Sequence, residues 1–347
     1  MNRLLESPTW CAALDDFAKA ISDDIMPLGR ILVTGASGLI GSALVDLLLA
    51  VRRVRRLQFV VVAAGRSSLR LQQRFGAADG LEFLEYDATK PFAAKTPFSV
   101  IIHAASNAAP AIYMKNPCDT LTVNITGVRD LLECARQNQG CRVLYVSSGE
   151  VNGVRLHAGS VNEDDYGRVD PLDLRMVYSE AKRAAESLCA AYVAQYGVRV
   201  VIARPCHVYG PTALASDPRV AADFAYKAAR GENIVLKSAG TQLRTHCHCL
   251  DCATALLTIL ARGESAKAYN IANPESTRTV RELALMLAEA GGVSVLSDAP
   301  TAVEQSAFSP LLDATLDSTR LLDLGWRGTV DIRDGLFQTV RVLREVL

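Results

Sequence analysis

Tyr178 and Lys182 stand four residues apart in the run YSEAK, a spacing that puts a phenol and an ammonium on one face of a helix. A cation beside a phenol favours the phenolate, lowering a pKa of about 10 and making Tyr178 a usable base. A solvated tyrosine and lysine on an ordinary helix surface show the same spacing; the residues upstream set this pair apart. Ser147 and Ser148 close the apolar run CRVLYVSS, and residues 30–41, RILVTGASGLIG, pass from an apolar run through Gly35, Gly38 and Gly41 into a helical pattern. Gly35 permits a tight turn, Gly38 lets a pyrophosphate approach the backbone, and Gly41 lets the helix pack closely on the strand. The helix N-terminus adds free N–H groups and a partial positive charge. Ser37, Leu39 and Ile40 belong to the same loop, and strand, turn and helix are the context that a dinucleotide site requires.

Cofactor choice turns on the end of the next strand, FVVVA at 59–63, which is followed by Ala64, Gly65 and Arg66. NAD-binding folds place an acid there for the ribose 2′-OH, whereas an arginine accommodates a 2′-phosphate. Arg66 favours NADP, Ser67 and Ser68 suit either ribose, and NAD or NADP stays open. Runs at 81–86 and 99–103 read as the third and fourth strands, ending in Asp87 and Ala88 and in HAAS. There Ala104, Ala105 and Ser106 are small enough for a flat ring or sugar to lie against the backbone. His103 reads as a hydrogen-bonded core residue.

These side chains need a scaffold that delivers strand ends to one edge. Helical patterns over 119–137 and 178–196, alternating with the five strands, predict an α/β fold: a Rossmann doubly wound parallel sheet with a smaller, interleaved C-terminal substrate-binding lobe. Residues 28–205, with 251–272 returning, form the NAD(P)-binding body, and 206–250 with 273–347 form the second lobe. Such a chain, 347 residues long, exceeds what one core holds. Trp10, Leu14, Phe17, Ala18 and Ile21 recur at helical spacing in an N-terminal extension, 1–27, that serves as a cap, a dimer contact or a surface appendage.

The 37 Lys and Arg balance the 37 Asp and Glu, so no net field draws the protein to nucleic acid or to an anionic membrane. The expected partner is a small molecule and the expected assembly a homodimer. Nine scattered cysteines read as reduced thiols. No apolar run reaches the roughly 18 residues needed to span a bilayer, and no export signal opens the chain, so a cytoplasmic location is expected. His246, Cys247, His248, Cys249 and Cys252 invite a zinc reading, but alternate residues of a strand face opposite ways, so one ion cannot collect them and no metal is expected.

Together TGASGLIG, Asp87, HAAS, Asn124 within its helix, YVSSGEVNG, YSEAK, ARPCHVYGP, TQLRTHCHCLD and the late LGW resemble the extended short-chain dehydrogenase/reductase family, specifically its nucleotide-sugar epimerases, dehydratases and decarboxylases. The likeness covers nearly everything after residue 28. It implies a nucleoside diphosphate sugar as partner, Tyr178 as catalytic base, Lys182 on the nicotinamide ribose, and Ser148 on the reacting hydroxyl. It also implies an adenine contact at Asp87, cofactor contacts at Asn124 and Pro205, a diphosphate clamp at Arg244, and Arg219 beside the substrate as in decarboxylase-like members. Glu150 falls where dehydratases and decarboxylases carry an acid next to the sugar.

Departures narrow the choice. Gly149 stands where 4,6-dehydratases pair an Asp with that Glu, so ordinary 6-OH elimination is disfavoured. His207 replaces the usual Asn as a substrate contact, and Asn152 replaces the Tyr of VYG. The resemblance implies transient oxidation at sugar C4, with a slight lean to UDP-glucuronate decarboxylase-like chemistry. The alternatives are an NADPH-dependent keto-sugar reductase and an idle nucleotide-binding regulator.

Overall fold

The computed structural model describes residues 4–26, 28–92, 94, 96–155, 159–301, 305, 308 and 312–347; the other positions of the expected extension and lobes lie outside the described residues. Six strands come first: β1 (Gly29–Thr34), β2 (Phe59–Gly65), β3 (Leu81–Glu85), β4 (Val100–His103), β5 (Arg142–Val146) and β6 (Arg199–Pro205). After β7 (His207–Tyr209), β8 (Ile234–Leu236) and β9 (Leu243–His248), β10 (Ala268–Ile271) joins β6 at the sheet edge. The seven strands run parallel in the order β10-β6-β5-β4-β1-β2-β3. Strands buried on both faces read as continuous apolar runs, as VVVAA in β2 and VII in β4 do.

The chain moves outward from β1 to β3 and returns to β4 on the other side of β1. That reversal opens a crevice at the strands' carboxyl ends, where open α/β sheets bind ligands. Helices Leu39–Arg55 and Cys249–Arg262 pack on one face, and helices Pro117–Gln137 and Val177–Tyr196 on the other.

The second sheet centres on β9, which pairs antiparallel with β11 (Asn273–Thr279) and parallel with β7 and, further along, β13 (Asp313–Ala314). Between these in the chain, β12 (Val295–Ser297) pairs with β8. Helices Val220–Arg230, Val280–Gly291 and Ile332–Val346 bury a separate apolar cluster beside them.

Helix Pro8–Ala20 starts at Ser7, whose hydroxyl accepts from the Trp10 N–H, and has proline at its first position, where the missing N–H costs nothing. Trp10, Leu14 and Ala18 are buried. The Trp10 indole donates to Asp46 at 2.9 Å, and Arg74 pairs with the same carboxylate. Ser7 and Thr9 bind Glu345 of the last helix. The apolar face marked by the helical spacing is thus taken up within the chain.

Candidate active site

The glycine turn is shaped by what each missing side chain permits. Gly35 has φ +67°, and a Cβ there would sit 2.7 Å from the Ala104 carbonyl. At Gly41 a Cβ would reach 2.3 Å from the Gly35 oxygen, so helix Leu39–Arg55 could not close on the turn. A Cβ at Gly38 would meet only the Gly35 oxygen, at 3.2 Å, so that side is otherwise open. Gly38 caps the helix with no side-chain bond, leaving first-turn N–H groups for an anion. Ser37 and Ile40 are half-buried at this rim and Leu39 is buried. The turn therefore fits a dinucleotide pyrophosphate.

Beyond it, Arg66 is exposed at the end of β2. Ser67 is occupied locally, its hydroxyl capping helix Ser68–Phe75. Asp87 accepts from the Thr89 hydroxyl at 2.8 Å and N–H at 3.1 Å; these bonds, with the Lys90 and Arg66 charges, hold its carboxyl below the usual range. Ala88 is buried against Gly127, Ala104 and Ala105 are half-buried at the end of β4, and Pro205 is buried at the end of β6. Asn124, expected on the cofactor, lies behind Ser106. It is fully buried, taking the Tyr145 hydroxyl at 3.2 Å and donating to Ser106 at 3.1 Å and to the Thr120 carbonyl at 2.8 Å. Its amide is spent orienting Ser106 from behind.

Tyr178 lies in the first turn of its helix with its ring stacked on Tyr113, centroids 5.3 Å apart and planes 8° from parallel. Burial pushes its phenol up to about 12; hydrogen bonding to Ser148 and Ser106 and the charge of Arg219 pull it down, while Glu150 pushes it further up. The depressed phenol expected from Lys182 is not found. Lys182 Nζ lies 5.8 Å from the Tyr178 ring centroid, donates to the Val146 carbonyl at 2.7 Å and sits over the Tyr145 ring. Burial brings the Lys182 ammonium down to about 7, with Glu186 opposing. Spacing placed the two groups on one face, but burial dominates the shift of each.

Ser148 caps the short turn Gly149–Asn152, accepting from the Glu150 N–H at 3.2 Å. The Glu150 carboxylate lies 3.4 Å from Arg175, whose guanidinium also donates to the Tyr113 hydroxyl. Arg175 and Tyr113 were missed in the sequence; the one available signal was a cation three residues before Tyr178, one helical turn upstream. From the second lobe, buried Arg244 feels the Glu150 and Asp313 charges, although burial dominates and lowers its guanidinium. Arg219 is gripped bidentately by Asp217, and Tyr178 feels its charge.

His207 presents its surface to open space although protein crowds the ring from behind. That crowding, with His246 and Arg244 nearby, pushes its pKa well down; the His246 ring is 6.0 Å away. Asn152, in contrast, is buried with neither amide atom partnered within the protein. His103 is buried, bonded to Thr34 at 2.7 Å and brought down to about 3 by burial. His246 turns to the Ser276 carbonyl and His248 to the Leu250 N–H, and among the described residues no three His, Cys, Asp or Glu side chains converge as metal ligands.

A family model described as the NAD dependent epimerase/dehydratase family matches residues 31–272. UDP-glucuronic acid decarboxylase 1 of Xenopus tropicalis is 31% identical over 325 residues, covering 92% of this chain and 73% of that protein. UDP-glucuronic acid decarboxylase 6 of Arabidopsis thaliana is 32% identical over 322 residues, 88% of this chain and 86% of its own. Among solved structures, a dTDP-glucose 4,6-dehydratase of Streptomyces venezuelae with NAD bound is similar at a TM-score of 0.77 and 27% identity, over 91% of this chain and 97% of that one.

Proposed function

Because the chain belongs to the NAD dependent epimerase/dehydratase family, we propose that it acts on a nucleoside diphosphate sugar by transient oxidation at C4, and that UDP-glucuronate decarboxylation is its reaction. One observation carries this: Ser148, Tyr178 and Glu150 converge where the β4 and β5 ends meet buried Arg244 of the second lobe. Body 28–205 with 251–272 holds the cofactor in this reading, and 206–250 with 273–347 the substrate.

Tyr178 removes the proton from the sugar O4, Ser148 orders that hydroxyl, and Lys182 binds the nicotinamide ribose. NAD, held by the glycine turn at 35–41 and Lys182, would supply a hydride acceptor and donor for that carbon. Once C4 is a ketone, the C5 carboxylate is β to it. Cleavage of the C5–C6 bond then releases CO2, and its electron pair passes into the C4 carbonyl as an enolate that takes a proton at C5. Arg244, with its fork of donors, and Arg219 hold the anionic substrate, and His207 is a further substrate contact. The absence of an acid at Gly149 disfavours 4,6-dehydration.

Exposed Arg66 favours a second reading, an NADPH-dependent reductase. No described helix is long and apolar enough to cross a membrane, and a cytoplasmic homodimer is the proposed setting. Incubation with UDP-glucuronate and sub-stoichiometric NAD should release CO2 and a UDP-pentose without lasting absorbance at 340 nm (the reduced nicotinamide band). Stoichiometric NADPH consumption with a keto sugar, and no conversion of UDP-glucuronate, would favour the reductase.

A further inference from the structure

Position 149 lies between Ser148 and Glu150, yet it carries no side chain, and something else fills the space. A Cβ built on Gly149 would sit 2.8 Å from Leu316 Cδ1 and 3.3 Å from its Cδ2. Contact that close forces the leucine to move. No left-handed φ requires glycine here, so the constraint is Leu316 itself.

Leu316 comes from the far end of the chain and is held firmly. Its N–H donates to the Thr245 hydroxyl at 3.2 Å. The flanking residues bond both sides of Val161: Thr315 accepts from the Val161 N–H at 3.1 Å, and the Asp317 N–H donates to the Val161 carbonyl at 2.8 Å. Arg155 grips Asp313 at 3.1 Å and the Thr315 carbonyl at 2.5 Å. The side chain is 7% exposed and packs with Val161, Ala272 and Cys206. The backbone around Leu316 is anchored, so a Cβ at position 149 could be met only by a shift of the buried leucine tip.

We propose that Leu316 is a specificity-determining residue: it occupies the side-chain space of position 149, excluding a second acid and water from the wall beside Glu150. This rests on the decarboxylase reading. With Glu150 but no carboxyl at position 149, the keto sugar loses CO2 by cleavage of C5–C6, takes one proton at C5 and recovers its hydride at C4. Net, a nucleotide-linked uronate and one proton give a nucleotide-linked pentose and CO2, and NAD is unchanged. Water on that wall would compete by solvating the ketone and easing its escape before the hydride returns.

Two measurements test this. In Leu316→Ala, at least a tenth of turnovers should end as released 4-keto sugar with reduced nicotinamide left behind, read by NMR of products and absorbance at 340 nm, against none in wild type. In a double-mutant cycle, Gly149→Ala should lower Tm in the wild-type background by several degrees and cost much less in the Leu316→Ala background. An unchanged product partition would overturn the role in specificity, and an additive cycle would overturn the steric wedge. The Tm cycle needs no substrate, so failure of the decarboxylase reading alone would leave it coupled.

Discussion

Lys182 is the residue whose environment has the clearest consequence. The residue is 2% exposed, its ammonium donating to the Val146 carbonyl, and burial brings its pKa from 10.5 to about 7. Below pH 7 folded and unfolded chains both hold the proton, and above about 10.5 neither does. Between those limits the unfolded chain binds more protons, so stability rises with pH. Wild type should therefore gain on Lys182→Met between pH 7 and 9, by up to about 1.4 kcal/mol per pH unit, in denaturation without added cofactor. A pH-independent difference would mean that the ammonium is not desolvated. For Tyr178 the expectation is kinetic: Tyr178→Phe should keep NAD and UDP affinity while losing about 10² to 10⁴ in turnover. Turnover within threefold of wild type would point to another base. Residue spacing revealed the pair but not its electrostatics, because burial is a property of the assembled site.

The glycine turn and the N-terminal helix show what single elements contribute. Gly38→Val would put a branched side chain over the open side of the turn, and NAD affinity should fall at least about tenfold, or 1.4 kcal/mol, by calorimetry on folded protein; unchanged affinity would remove the pyrophosphate from this turn. Trp10→Ala should cost about 3–5 kcal/mol in chemical denaturation, since it empties a fully buried site and strips a donor from Asp46; a loss under 1 kcal/mol would make the helix a surface appendage. The elements legible in the sequence were those with strong patterns. β2 and β4 are apolar throughout, and helix Pro8–Ala20 repeats its apolar face. β11, NPESTRT, is polar along most of its length, and β13 spans two residues; neither has a periodicity to read. Arg175, Tyr113 and Leu316 reach the site through tertiary contacts, with sequence separations from Glu150 of 25 residues and more.

At the scale of the whole molecule, the candidate site draws residues from both sheets. The parallel sheet brings the glycine turn, Ser148 and Tyr178 to one edge, and the strands around β9 carry Arg244, His207 and the segment bearing Leu316 against it. Helix Cys249–Arg262 follows β9 directly and packs in the body's core, so the chain crosses between the two sheets more than once. That connectivity fixes the wall beside Glu150 relative to Tyr178, as the proposed reaction, which must hold its keto sugar, requires. The central claim is that hydride leaves C4 and returns to it. UDP-glucuronate deuterated at C4, incubated with enzyme and unlabelled NAD, should yield a UDP-pentose that retains deuterium at C4, with CO2 released and no reduced nicotinamide accumulating. Loss of the label to solvent or to the NAD pool, or CO2 release without hydride return, would contradict the account.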